Sequence, residues 1–136
     1  MSNLDVLHQV AGTGGPLREV SASMLDDCMN ELRFVFDDFA LVVSADGEYD
    51  TVLLAIDDDV REPKTAVRAL TDAAWCQPAI GVPLRWGWEL TNQQGYADGV
   101  RFEFADPNAG TAVVIELIVV ASTFHVYRCD RARPAR

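Results

Sequence analysis

The chain of 136 residues reads as a single α+β domain, residues 1–136, built on a mainly antiparallel sheet of about eight strands with one or two helices. Three observations predict it. Runs of alternating apolar and polar residues recur through most of the chain, the period-2 mark of strands with one buried face. Short clusters of Asp, Asn, Gly and Pro join these runs, which favours consecutive hairpins. Only one internal segment, Lys64 to Trp75, keeps a long helical spacing, so strands and helices do not alternate as a βαβ fold requires.

Asn3 to Val10 predicts a short helix with Leu4, Leu7 and His8 along one side and Asn3 as its cap. Gly12, Gly14, Gly15 and Pro16 end it. The Gly-Thr-Gly-Gly run invites comparison with a phosphate loop, but no Gly-Lys-Ser/Thr follows, and it reads as a turn. An extended segment from Leu17 to Leu25 comes next. Leu32, Phe34 and Phe36 then alternate with Arg33 and Val35, Asp37-Asp38 turns the chain, and Leu41 and Val43 return on a third strand. Asp46-Gly47 is the strongest hairpin signal, expected as a two-residue type I′ turn into a fourth strand from Tyr49 to Ile56.

After Asp57, Asp58 and Asp59, Glu62-Pro63 suits a helix start, and Val67, Leu70 and Ala74 keep a helical spacing until Gln77-Pro78. From Leu84 the pattern returns to period 2. Leu84, Trp86, Trp88 and Leu90 fall on one side, with Arg85, Gly87 and Glu89 on the other. The polar stretch from Asn92 to Gly99 reads as a shaped loop, because its residues bond their own backbone or accept positive φ. Val100, Phe102 and Phe104 form another half-buried strand, and Asp106 to Gly110 turns it into the run Thr111 to Ala121. That run is apolar on both faces apart from Glu116, which marks a central strand. Thr123 to Cys129 completes the sheet.

The formal charge of −10 divides into +3 on residues 128–136, which carry four arginines and one aspartate, and −13 on residues 1–127. Such a surface repels phosphates, so nucleic acid and an anionic membrane are disfavoured as main partners and a basic protein is favoured. Residues 130–136 are expected to be a disordered basic tail. The N-terminus lacks a basic start and an apolar run, and no stretch is long enough to span a bilayer. Three widely spaced cysteines, Cys28, Cys76 and Cys129, suit reduced thiols. The expected location is the cytoplasm.

The only dense carboxylate group is Asp57, Asp58 and Asp59 with Glu48 and Asp50 on the neighbouring hairpin. It matches no calcium loop, lacking the required glycine and terminal glutamate, and reads either as solvated strand ends or as a partner-facing patch. His8 and His125 belong to no metal-ligand spacing, and His125 and Cys129, four apart on one strand face, are too distant for a base and nucleophile. No metal, no cofactor and no catalytic residue is expected. Glu116 on a central strand needs a cationic partner, for which Arg85, Arg101 and Arg128 are candidates; an acid or base with a raised pKa is the alternative. Trp86 and Trp88 are expected as core anchors, with a ligand site formed by Trp86, Trp88, Asn92, Gln93, Tyr96 and Asp98 as the functional alternative.

The stretch Trp-Gly-Trp-Glu-Leu-Thr-Asn-Gln-Gln-Gly-Tyr-Ala-Asp-Gly (86–99), with Gly15 to Val20 and Asn30 to Phe36, resembles a family of small bacterial proteins of unknown function. Proteins of this kind are often found near secreted toxins, so the resemblance implies an immunity role and supplies no catalytic residues. The first functional expectation is therefore a non-enzymatic acidic binding protein, of immunity type, that covers the basic active site of a toxin with Glu48, Asp50, Asp57, Asp58 and Asp59. The alternatives are a small enzyme using Glu116 or Asp98 in a pocket near the tryptophan strand, and a homodimeric domain that buries a sheet face.

Overall fold

Ser2, rather than Asn3, caps the first helix. In the computed structural model, which describes residues 1–59 and 67–129, Ser2 and Asp5 form a reciprocal capping box at the start of α1 (Asn3–Val10). Val6, Leu7 and Val10 are its buried face, whereas Leu4 and His8 are exposed. Asn3 is freed for another task. Its Nδ2 donates to the Val52 carbonyl at 2.8 Å and its Oδ1 accepts from the Leu54 N–H at 2.9 Å. These are edge groups that would otherwise lack a ladder partner.

The strands β1 (Glu19–Leu25), β2 (Cys28–Val35), β3 (Ala40–Asp46) and β4 (Thr51–Asp57) run as consecutive antiparallel hairpins. β5 (Val67–Ala69) pairs antiparallel with the outer side of β1, giving the order β4-β3-β2-β1-β5. A second sheet, β6 (Leu84–Thr91), β7 (Ala97–Asp106), β8 (Gly110–Val120) and β9 (Thr123–Arg128), is a four-stranded antiparallel meander. The expectation of one sheet is thus corrected. Nine strands among the described residues form two sheets, and the domain is mainly β with one short helix. β8 is central in its sheet, as expected, and the meander pairings, including β3 with β4, match the predicted hairpins.

The helix expected over Lys64 to Trp75 is also corrected. Residues 64–66 lie outside the described residues, as does the tail 130–136, and Val67–Ala69 is strand. Of Val67, Leu70 and Ala74 only Leu70 is buried, so the helical spacing marks no packed face. What decides the segment is the free edge of β1. Leu70 N–H donates to the Val20 carbonyl, and Thr71 Oγ1 accepts from the Val20 N–H at 3.1 Å. Turns and a single 3-10 turn, Gln77–Ala79, then lead to β6.

The inner faces of the sheets form one core. Val20, Ala22, Leu32, Phe34, Leu41, Val43, Val52 and Leu54 from the first sheet meet Leu84, Val100, Phe102, Phe104, Val113, Ile115, Leu117, Val119 and Phe124 from the second. Phe34 lies at the junction, edge-on to Phe102 at 5.5 Å and stacked on Phe104 at 6.2 Å between ring centroids. α1 packs against β4 and β6 and closes that flank.

On the outer face of the first sheet, Arg33 is only 9% exposed. Its Nη1 donates to Asp57 Oδ2 at 2.8 Å, and its Nη2 bonds the Asp59 carbonyl. β4 and β5 occupy opposite edges of the sheet, and Arg33 anchors the chain at Asp57 and Asp59, where β4 ends. Asp57 Oδ1 also accepts the Asp59 N–H. That hydrogen bond, then the Arg33 guanidinium, holds the Asp57 carboxyl below the ordinary carboxylate range. A carboxylate with a depressed folded pKa stabilises the fold above its unfolded value of about 3.9, and the contribution is lost as pH falls through the lower folded value. Urea midpoints of wild type should therefore fall below about pH 4 more steeply than those of Asp57→Asn. Parallel curves would show that Asp57 contributes nothing to acid sensitivity.

Candidate functional site

Consecutive hairpins place alternate turns at one end of a sheet, so the β1–β2 and β3–β4 turns emerge together, as do the β6–β7 and β8–β9 turns. Asp50 joins the two pairs. Its Oδ1 accepts the Ser122 N–H at 2.8 Å and its Oδ2 the Ala121 N–H at 3.2 Å, while the Ser122 hydroxyl donates to the Gly47 carbonyl at 3.4 Å. Ala121 and Ser122 both have positive φ, 51° and 63°, which turns their successive N–H groups toward one anion.

The expected two-residue turn at Asp46-Gly47 is a correction here. β3 ends at Asp46 and β4 starts at Thr51, so residues 47–50 form the turn and Tyr49 is not in the strand. Positive φ falls on Asp50 (50°), the residue whose carboxylate reaches the β8–β9 turn of the other sheet. Asp46 Oδ1 accepts the Glu48 N–H at 3.0 Å and shapes the turn locally.

One end of the molecule therefore gathers Asp26, Asp27, Asp46, Glu48, Asp50 and Asp98 from three separate turns. Exposed apolar groups stand among them: Leu25, Tyr49 at 58% exposed and Tyr96 at 47%. Aromatic groups flanked by polar ones are the composition of a protein-binding surface. The β6–β7 loop is held by Asn92, whose Oδ1 accepts the Gln94 and Tyr96 N–H groups and whose Nδ2 donates to Asp98 Oδ2 at 3.4 Å. Gly95 takes φ +87° within it. Asn92 and Asp98 thus shape the loop, and Gln93 and Tyr96 are presented to solvent.

The five carboxylates grouped by sequence proximity are divided by the fold. Glu48 and Asp50 lie at the turn end, and Asp57, Asp58 and Asp59 at the opposite end of β4, about 20 Å away at ~3.3 Å per residue. Asp57 is paired with Arg33, and Asp58 is exposed. Asp26 and Asp27 were not singled out by sequence, although both sit in the β1–β2 turn and turn parity could have grouped them with Glu48 and Asp50. Among the described residues, no group of three or more His, Cys, Asp or Glu side chains could hold a metal ion.

Trp86 and Trp88 are not core anchors. β6 slips register at Arg85, with Leu84 opposite Phe104 and Trp86 opposite Glu103. The bulge moves every later side chain to the other face. Leu84 stays buried, while Trp86 and Trp88 stand on the outer face at 52% and 42% exposure. Gly87 is left facing inward, where Leu7 of α1 fills the space. Trp88, Arg101, Glu116 and Tyr127 lie in one row across the four strands. Arg101 Nη2 pairs with Glu116 Oε1, and its guanidinium lies 5.9 Å from the Trp88 ring. Arg101, one of the candidate partners for Glu116, is in contact with it. Cys129 is next to this pair, and burial raises its thiol pKa.

Beside the tryptophan strand the structure has a groove of 440 Å³ between α1 and β6, lined by Leu4, Leu7, His8, Ala11, Arg85, Trp86 and Gly87. Neither Glu116 nor Asp98 lines it. Among the described residues no helix is long and apolar enough to cross a membrane.

Fold and surfaces together define a two-sheet, mainly antiparallel β domain with an acidic, aromatic turn end and an aromatic outer sheet face. The chain belongs to a family of unknown function, DUF6334, whose model matches residues 1–133. No curated protein matches the chain, and no solved structure does.

Proposed function

We propose that this protein is a non-enzymatic binding domain that recognises a basic protein with the turn end of its two sheets. The observation that carries the reading is the placement of Asp26, Asp27, Asp46, Glu48 and Asp98, with the exposed Leu25, Tyr49 and Tyr96, at or beside turns on one end of the two sheets, which Asp50 ties together. The aromatic groups supply apolar area, and the carboxylates, on a chain of formal charge −10, steer a cationic surface toward them. The concrete form is an immunity-type protein seated on the basic active site of a toxin, since an enzyme acting on an anionic substrate carries such a site.

The test compares baits in pull-downs from the native host, eluted with a salt gradient. The triple variant Asp26→Asn/Asp27→Asn/Glu48→Lys keeps residues that tolerate positive φ at the first two positions. Asp50 is left intact because it holds the β8–β9 turn. A basic protein retained by wild type at low salt, held about tenfold more weakly by the triple variant and normally by Asp58→Lys, supports the assignment. Unchanged retention and salt dependence in the triple variant, or loss in Asp58→Lys alone, overturns it.

A further inference from the structure

The outer face of the second sheet is the other exposed aromatic surface, and its charge pattern differs from that of the turn end. Its central row reads Trp88, Arg101, Glu116, Tyr127 across β6 to β9, so one cation and one anion are flanked by an aromatic on each side. The neighbouring row is Trp86, Glu103, Val114 and the start of the post-β9 segment at Cys129, and the next is Leu90, Gly99, Ile118, His125. Glu103 accepts the Thr111 hydroxyl at 2.9 Å and lies outside the central row. A partner of a single charge sign meets attraction from one of the central charges and repulsion from the other. The surface that complements the row is the row itself, reversed.

We infer that this face is the interface of a homodimer whose two-fold axis lies between the two copies and runs along the strands between β7 and β8. Packing two sheet faces by symmetry requires a two-fold in the interface plane. An axis across the strands would set Arg101 on Arg101 and Glu116 on Glu116. The axis along the strands reverses the strand order while keeping the row. It sets Arg101 against Glu116 of the second copy, and Trp88 against Tyr127. The result is a closed square of alternating charges between two aromatic pairs. It also brings the copies together along a row whose two charges cancel, on molecules that each carry −10. The acidic turn end remains at the edge of this interface, so each copy keeps its own surface for a basic partner.

The charge square gives a test independent of any other partner. Sedimentation velocity over a concentration series should show a wild-type dimer. Arg101→Glu makes the row wholly acidic and Glu116→Arg wholly basic, so each variant alone should sediment as a monomer. Mixed in equal amounts they should form a heterodimer, since an acidic row then faces a basic one. Trp88→Ser, a change at a half-exposed site with the ion pair intact, should weaken the wild-type dimer about tenfold, and far-ultraviolet circular dichroism checks that each variant folds. A wild type that stays monomeric, charge variants that still dimerise alone, or folded variants that do not associate on mixing would each overturn the assignment.

Discussion

Phe34→Ala is expected to lower unfolding free energy by about 3–5 kcal/mol, the cost of deleting a fully buried aromatic ring. The ring is 1% exposed and touches both Phe102 and Phe104 of the opposite sheet. Its loss removes apolar burial and also the edge-on and stacked contacts that join the two layers. Against the 5–15 kcal/mol stability of an ordinary domain, that is a large fraction of the total. Urea unfolding measures it, with Phe34→Leu as a control that fills most of the space and should lose less. A shift under about 1 kcal/mol, typical of an average substitution, would show that the sheets are not joined through this ring.

The second large effect is at the contact between α1 and β6. A Cβ built on Gly87 lies 2.4 Å from Leu7 Cδ2, closer than two carbons can approach, and Leu7 is buried beneath the helix. Gly87→Val should therefore cost about 1–3 kcal/mol by overpacking. Leu7→Ala should cost about 2–5 kcal/mol by opening a cavity. The double variant exchanges volume between the two sites, so the valine at 87 enters the space the leucine leaves. It should be more stable than the sum of the single losses by about 0.5–3 kcal/mol. Strict additivity in the cycle would mean that the helix does not seat on Gly87.

The period-2 runs were legible because each needs only local chemistry: Val100, Phe102 and Phe104 alternate with polar residues whatever lies opposite. Hairpin order was legible for the same reason, since short Asp- and Gly-containing connections leave an antiparallel return as the easy path. The ion pair of Glu116 followed from its place in an apolar run, and its register put Arg101 directly opposite. Only part of the candidate site could be read. Glu48 and Asp50 were found as a dense local group, but Asp57 to Asp59 were grouped with them by sequence distance, and a strand carries that distance as length.

By itself the sequence determined where every strand but β5 lies, that β8 is central in its meander, and that the charged chemistry is acidic. Tertiary structure alone decided how many sheets those strands make, because a strand's free edge satisfies its N–H and C=O groups with whatever segment returns to it. β5 filled the edge of β1 where helical spacing had suggested α-helix. It also decided which way the tryptophans point. One extra residue at Arg85 reverses the faces of β6, and a bulge is a property of the pairing between two strands, absent from the pattern of either one.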